Sequence, residues 1–324
     1  MIVLSRLIVR LALVGLVGCL GAAAWAEGNA PAPAPRADAD AVCTRCHDQG
    51  ETSPLLSIYQ TRHGVMADGR TPGCQSCHGP SLAHVKNAQD SDPRPEVDVA
   101  FGKKSTTSVA QQVQTCLACH RNGQRNHWDG SQHQASGLAC TSCHEMHVRD
   151  DKVLDRQSQP QVCFTCHKTE RAQIHRVSTH PLDAGKIACS NCHNPHGSTG
   201  EKLMVKGSVN ETCFQCHAEK RGPFLWEHQP VTESCTTCHT PHGSNISPLL
   251  KVRMPYLCQA CHTGDHAAQV NSGANLQDGG VTTANGLLPQ ASAAGRAQMA
   301  GRACLACHSL VHGSNHPAGA KFLR

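Results

Sequence analysis

Apolar residues are sparse along this chain of 324 residues, and they form two notable patterns. A continuous apolar run occupies residues 11–20, close to the amino terminus. Over residues 109–119 apolar side chains recur at helical spacing, which predicts an α-helix there. Nothing after the first run is apolar enough to predict a membrane span. The chain therefore offers short local elements and little that could form a continuous core.

The first 26 residues predict a secretory signal peptide. Arg6 and Arg10 supply its positive end, and Ala24-Trp25-Ala26 is a small-x-small cleavage site. We expect an Ala/Pro-rich linker over residues 27–40 and one domain over residues 41–324. A second possibility stays open, because Leu16-Val17-Gly18-Cys19 resembles a lipoprotein cleavage box, which would leave Cys19 lipidated.

Composition argues against an ordinary protein core. Aromatic residues make up 3% of the chain, which also contains 28 Gly and 18 Pro. The 298 residues left after cleavage have too few large apolar side chains to bury a core of normal size. They carry 27 Lys and Arg against 24 acidic residues, a balance that does not indicate nucleic-acid binding. Bound apolar groups must supply the missing buried surface, and the protein without them is expected to be largely unfolded.

The cysteines identify those groups. Of 21 cysteines, 20 form ten copies of C-x-x-C-H, numbered motifs 1 to 10 here in chain order. Two thiols three residues apart reach the two vinyl groups of one haem, and the following His lies under its iron. Zinc knuckles, thioredoxin motifs and disulfide scaffolds do not require a His after every pair. The sequence therefore predicts ten covalently attached c-type haems.

The predicted attachment residues are read directly from the motifs. The thioether cysteines are Cys43, Cys46, Cys74, Cys77, Cys116, Cys119, Cys140, Cys143, Cys163, Cys166, Cys189, Cys192, Cys213, Cys216, Cys235, Cys238, Cys258, Cys261, Cys304 and Cys307. The proximal iron ligands are His47, His78, His120, His144, His167, His193, His217, His239, His262 and His308.

The motifs repeat in pairs. The odd-numbered motifs from 3 to 9 begin 45 to 50 residues apart. The segments CFTCHKTER and CSNCHNPHGS of one repeat also match CFQCHAEKR and CTTCHTPHGS of the next. Such repetition is typical of arrays in which each unit contacts mainly its neighbours. About one haem per 30 residues leaves room for short helices and loops but not for sheets. The predicted fold is a multihaem cytochrome c, mostly coil with short α-helices around a quasi-linear array of haems in five two-haem repeats, with little or no β-structure.

The chain has 23 histidines, of which ten belong to the motifs. Ten of the remaining thirteen are candidates for the distal ligands of the haem irons. Each pair offers one His before its second motif and one just after it: His63, His133, His180, His228 and His266, then His84, His147, His196, His242 and His312. His316 is the alternative to His266, because an Ala/Gly/Gln-rich stretch, 267–303, separates motifs 9 and 10. The spare histidines, His127, His175 and His316, are expected at the surface or behind a ligand.

Chain length suggests which haem each distal His binds. His196 follows the motif histidine His193 by three residues, too few to pass around its haem. We call the histidines that follow the second motif of a pair downstream histidines, and those that precede it upstream histidines. We therefore expect the downstream histidines to bind the haem of the preceding motif. The upstream histidines have enough chain to reach the haem of their own following motif.

Two histidines on every iron would leave no open position for a substrate. The six methionines show no repeated spacing from the motifs, and no motif replaces its His with the Lys typical of multihaem nitrite reductases. The two tyrosines, Tyr59 and Tyr256, do not indicate the cross-linked haem of hydroxylamine-oxidising enzymes. An electron carrier is therefore predicted, and a reductase or oxidase with one open haem stays the alternative.

The motif number, the segment CLACHRNGQRNHWDGSQHQASGLACTSCHEMH and the repeated CHNPHGS and CHTPHGS blocks resemble the periplasmic decahaem cytochromes of the MtrA/MtoA/PioA/DmsE type. The resemblance implies a periplasmic haem wire held in an outer-membrane β-barrel porin. Its other partners would be periplasmic or inner-membrane cytochromes and an extracellular multihaem cytochrome, in iron(II) oxidation or metal reduction. A free periplasmic shuttle or electron-storage protein is the competing possibility.

Overall fold

The computed structural model describes residues 36–47, 54–65, 71–87, 93–262, 282–283, 286–287 and 303–323. The predicted signal peptide and Cys19 lie outside these ranges. Helix α1 begins at Arg36, inside the stretch predicted as a linker, and the boundary at residue 41 stays a prediction. No helix in the described ranges is long and apolar enough to span a membrane.

Short helices dominate the described chain. The α-helices are α1 Arg36–Thr44, α2 Cys74–His78, α3 Leu82–Lys86, α4 Val109–Leu117, α5 Gln132–Ala135, α6 Gln159–Cys163, α7 Lys168–Ile174, α8 Val209–Cys213, α9 Gln229–Glu233 and α10 Tyr256–Gln259. Single 3-10 turns cover Leu55–Gln60, Gly123–Arg125, Cys140–Ser142, Cys189–Asn191, Glu201–Leu203, Ala218–Lys220, Cys235–Thr237 and Cys304–Ala306. Two strands, β1 Thr282–Thr283 and β2 Gly286–Leu287, pair antiparallel, with Thr282 opposite Leu287 and Thr283 opposite Gly286. The predicted coil-and-short-helix fold is confirmed, as is the helix predicted over residues 109–119.

The two motifs of a repeat differ in local structure. The first cysteine of each odd-numbered motif lies at or near the end of an α-helix, as Cys116 does in α4 and Cys213 in α8. Motifs 4, 6, 8 and 10 instead form isolated 3-10 turns. A polar residue inside the motif caps such a turn: Ser142 Oγ accepts the Ala139 N–H at 3.1 Å, and Asn191 Oδ1 accepts the Ala188 N–H at 2.7 Å. These caps satisfy backbone donors that so short a helix leaves unpaired.

Side-chain packing is limited, as the composition predicts. The cluster of buried residues consists of Val113 and Leu117 of α4 with Trp128 and Ala139, and Cys140 packs against it. The first and second motifs of this repeat thus meet through a small apolar contact. Within the described ranges, buried side chains this few do not provide a core of ordinary size.

Backbone bridges interlock successive repeats. Ser178, two residues before His180, pairs with Ser244, two residues after His242, through hydrogen bonds of 2.9 and 2.8 Å. Trp226 pairs with Ser314 in the same way, through bonds of 3.0 and 2.9 Å. The segment before an upstream His is therefore joined to the segment after the downstream His of the next repeat.

Candidate haem-binding sites

Each C-x-x-C-H motif forms one helical turn. In nine motifs the His N–H donates to the carbonyl of the first Cys at 2.9 to 3.1 Å, and motif 2 lies within α2. One turn brings residues four apart to the same side of the helix. The two thiols and the imidazole are therefore presented together, as covalent attachment and proximal ligation require.

Nine motif histidines each face a histidine from outside the motifs. The ring centroids of these pairs lie 5.8 to 6.4 Å apart. The pairs are His47 with His84, His78 with His147, His120 with His63, His144 with His196, His167 with His133, His193 with His242, His217 with His180, His239 with His312, and His262 with His228. Every pair joins one predicted proximal ligand to one predicted distal ligand.

The spacing of the rings fits an iron between them. A metal–imidazole bond is about 2 Å long and the ring centroid lies roughly 1.1 Å behind the bonded nitrogen, so two imidazoles on one metal have centroids about 6.2 Å apart. Each ring can rotate about its metal bond, so both parallel and crossed ring planes are compatible with a shared metal, and the observed interplanar angles run from 5° to 89°.

Hydrogen bonds at Nδ1 leave Nε2 available for a metal. Among distal candidates, His133, His180 and His228 donate from Nδ1 to the carbonyls of Pro195, Pro241 and Val311 at 2.8, 2.8 and 2.9 Å. Each acceptor immediately precedes a downstream distal His, so the same backbone segment positions two ligands. A donor bond at Nδ1 fixes the tautomer in which Nε2 holds the free lone pair.

Motif histidines of the even-numbered motifs are held in the same way. His78, His193 and His239 donate from Nδ1 to the carbonyls of Val99, Lys202 and Pro248, each at 2.9 Å. Each facing pair of motifs 5 to 8 thus contains one histidine with an Nδ1 hydrogen bond to a carbonyl. At motifs 5 and 7 that histidine is the distal candidate, and at motifs 6 and 8 it is the motif histidine.

Burial keeps several of the facing histidines neutral. It lowers the pKa of His196 to about 4 and also lowers the pKa values of His242 and His312, with neighbouring histidines adding to the effect. A neutral imidazole is the form that coordinates iron, so these side chains are in the ligating state throughout the physiological pH range.

Two buried donors beside motif 4 lack an acceptor among the described residues. They are Trp128 Nε1 and His196 Nδ1, and the two rings lie 6.5 Å apart between centroids. With Nε2 of His196 on iron, both atoms carry hydrogens and neither can accept from the other. A haem propionate or an ordered water has the acceptor capacity that these groups need. The residues therefore fit a bound haem.

The pairing corrects two of our sequence-based expectations. His196 faces His144 of motif 4, and His242 faces His193 of motif 6, so these downstream histidines reach two motifs back rather than one. The downstream histidine of the first repeat, His84, faces His47 of the preceding motif, as expected. The upstream histidines reach beyond their own following motif, as when His180 faces the histidine of motif 7. The reason is the backbone bridge between residues 178 and 244, which places the segment before His180 against the next repeat.

The tenth motif has no described distal ligand. His266 lies outside the described residues and stays a prediction. His316 accepts the Ala318 N–H at Nδ1, at 3.1 Å, which puts its own ring hydrogen on Nε2 and makes that nitrogen unsuited to bind iron. His312, predicted for this repeat, faces His239 of motif 8. His127 and His175 are exposed, as expected of spare histidines.

Sequence reasoning missed the role of three glycines. Gly197, Gly243 and Gly313 each follow a downstream distal histidine, have φ values of 105°, 147° and 130°, and leave no room for a Cβ. At Gly243 a Cβ would overlap the Gln173 carbonyl, which belongs to the neighbouring repeat. Glycine is required where such a φ coincides with close backbone approach. The repeated PHGS and the later HGS were the available signal.

The thiols of successive motifs are neighbours throughout the chain. Within each repeat the first cysteine of one motif affects the pKa of the first cysteine of the next, and between repeats the charge of a cysteine in the neighbouring motif raises the pKa. The interacting pairs in chain order are Cys43–Cys74, Cys77–Cys116, Cys116–Cys140, Cys143–Cys166, Cys163–Cys189, Cys192–Cys216, Cys213–Cys235, Cys238–Cys261 and Cys258–Cys304. The attachment points thus form one unbroken series from motif 1 to motif 10.

Known proteins share this organisation. The family described as "Doubled CXXCH motif" matches residues 180–222 and 228–267, and the family "Cytochrome c-type protein NrfB-like" matches residues 74–160. The chain is 42% identical over 287 residues to the "Multiheme cytochrome MtrA" of Shewanella baltica, covering 86% of this chain and 79% of the relative. It is 30% identical over 149 residues to the "Cytochrome c-type protein NrfB" of Haemophilus influenzae, covering 40% of this chain and 65% of that protein.

Proposed function

Because this chain belongs to the MtrA-type multihaem c-type cytochromes, whose covalently attached haems transfer electrons, we propose that it binds ten of them and acts as the periplasmic part of an outer-membrane electron conduit. Each haem would be held by two thioethers and two histidines. Bound haem supplies a one-electron Fe(III)/Fe(II) couple, and the protein supplies attachment, axial ligands and order along the line.

The observation that carries this proposal is the unbroken series of interacting thiols from motif 1 to motif 10. Each motif interacts electrostatically with the next at the atoms that would bear the haems, as Cys116 does with Cys140 and Cys143 with Cys166. Electron transfer along the chain needs neighbouring cofactors without a gap. The series supports conduction from one end of the protein to the other.

Axial ligation supports electron transfer rather than catalysis. At nine motifs a second imidazole occupies the position where a substrate would bind, as His242 does opposite His193. Carbonyls of neighbouring repeats hold several of these distal rings, so a ligand could not leave without disturbing the chain around it. We therefore propose that the protein is not an enzyme.

The proposed partner is an outer-membrane β-barrel porin. A chain that carries electrons across an outer membrane must pass its apolar band, which is roughly 25 Å tall, while the interior of a barrel is polar. An elongated haem protein inside such a barrel would connect periplasmic or inner-membrane cytochromes to an extracellular multihaem cytochrome, in iron(II) oxidation or metal reduction. The predicted signal peptide supports the periplasmic location.

Haem number and ligation are tested on the purified protein. Mass spectrometry should give the mature chain plus ten haems, and electron paramagnetic resonance should give low-spin signals with no high-spin fraction. A smaller haem count would contradict the ten-haem proposal. A high-spin haem in the unmodified protein would favour a reductase or oxidase.

The conduit is tested in outer membranes extracted with detergent. The expected result is co-purification with a β-barrel protein at a fixed ratio, and electron transfer across vesicles that contain both proteins. Recovery solely as a free monomer, together with vesicles that stay inactive, would contradict the conduit and support a periplasmic shuttle.

A further inference from the structure

One motif histidine has a charged hydrogen-bond partner where its counterparts have a neutral one. In motifs 2, 6, 8 and 10 the proximal His donates from Nδ1 to a backbone carbonyl. In motif 4, His144 donates from Nδ1 to Asp151 Oδ2 at 2.7 Å. The loop that carries the acceptor also differs, since MHVRDD stands where motifs 6 and 8 have PHGS.

The Asp151 carboxylate is held in place. Its side chain is 9% exposed, and Oδ1 lies 3.4 Å from both the Glu145 and the Val153 backbone nitrogens. The adjacent Asp150 is different, because its side chain is 91% exposed and faces Arg149 at 3.9 Å. Two neighbouring carboxylates thus differ in burial and in contact with the ligand.

The surroundings of His144 amplify the effect of this charge. The Nδ1 atom of the facing histidine, His196, is buried and has no acceptor among the described residues. Trp128 borders the same site. A charge interacts more strongly where apolar groups exclude water.

A carboxylate behind a ligating His makes the imidazole a stronger donor to the metal than a carbonyl does. Hydrogen bonds to an ionised acceptor are also about twice as strong as neutral ones. Greater donation and a nearby negative charge both favour Fe(III) over Fe(II), which lowers the reduction potential.

We propose that Asp151 is a positioning residue that lowers the reduction potential of the motif 4 haem below those of the motif 6 and motif 8 haems. Its basis is the contact between His144 Nδ1 and a buried carboxylate that the equivalent motifs lack. The inference rests on the bis-histidine ligation proposed above. The haem of motif 4 is then the lowest in potential of these three haems along the chain.

The test replaces the charge and keeps the shape. Asp151→Asn retains an oxygen that can accept from His144, and Asp150→Asn removes an exposed charge from the next residue as a matched control. In a potentiometric titration, Asp151→Asn should raise the reduction potential of one haem out of the ten. The low-spin electron paramagnetic resonance signal of one haem should shift as well. Asp150→Asn should leave both unchanged, and Asp151→Glu should restore the lower potential.

The proposal would be overturned if no haem changed its reduction potential in Asp151→Asn, or if Asp150→Asn produced an equal change. A high-spin haem in Asp151→Asn would also overturn it, because Asp151 would then only hold the ligand in place. If Asp151→Asn does not assemble, Asp151→Glu decides the question, because it must keep the potential low. Failure of the proposed ligation is distinguishable, because it would appear as high-spin haem in the unmodified protein.

Discussion

The substitution Gly243→Ala tests how the backbone positions the distal ligands. Gly243 directly follows His242, has a φ of 147° and lies against the Gln173 carbonyl and the Thr179 side chain. An alanine there meets two separate costs. The φ value is far from the left-handed well and costs about 2 to 3 kcal/mol. The new Cβ also lies closer than 3.0 Å to backbone atoms of another repeat, so one segment must move.

The size of that movement predicts a ligation change. The segments must separate by about 1 Å, which is several times the tolerance of roughly 0.2 Å on a metal–ligand bond. His242 is displaced with Gly243, and the haem of motif 6 should lose its sixth ligand. We expect about one tenth of the haem to become high-spin, since each haem is one of ten, with the other nine unchanged.

Two glycines of the same protein separate the two costs. Gly137 has a φ of 72° with nothing within 4 Å of its Cβ position, so Gly137→Ala imposes backbone strain of about 1 to 2 kcal/mol without a clash. Gly207→Ala meets neither problem. Electron paramagnetic resonance and magnetic circular dichroism measure the high-spin fraction in all three variants. A fully low-spin Gly243→Ala protein, or an equal high-spin fraction in Gly137→Ala, would refute the reasoning.

Three further results are expected. His180→Ala should open the haem of Cys213 and leave the haem of Cys189 six-coordinate, because the His180 ring faces motif 7; a crystal structure of the variant locates the open haem. Ser244→Ala should lower the free energy of unfolding by about 1 to 3 kcal/mol, since the buried Ser244 hydroxyl donates one hydrogen bond and accepts another. Ser198→Ala should lower it less, because the Ser198 hydroxyl makes a single hydrogen bond of 3.3 Å, and urea unfolding compares the two variants. Protein produced without haem should show no cooperative thermal transition by circular dichroism, because the described chain buries few apolar side chains, and a sharp transition would contradict this.

Local features of this molecule were predictable because they depend on neighbouring residues. The helix over residues 109–119 follows from apolar spacing, and the turn at each motif follows from the need to present two thiols and one imidazole together. The distal candidates could be found by counting, since the histidines outside the motifs recur once before and once after each second motif.

The ligation order was not predictable from chain reach. His180 has enough chain to reach motif 6, and nothing in its spacing excludes that haem. What decides the matter is the path of the backbone, which pairs Ser178 with Ser244 of the next repeat. Asp151 was missed for a similar reason, because a carboxylate seven residues after a motif His becomes its partner only when the loop folds back.

The ligation order also explains how a chain with so small a core can be rigid. His180 and His242 are held by one backbone segment, through the Pro241 carbonyl, yet they face the histidines of motifs 7 and 6. With the proposed ligation, each such segment therefore fixes ligands for two haems that belong to different repeats. No repeat can turn or separate without displacing an axial ligand of its neighbour. Conduction as proposed requires a constant spacing between cofactors, which ligands shared between repeats, rather than packed side chains, would maintain.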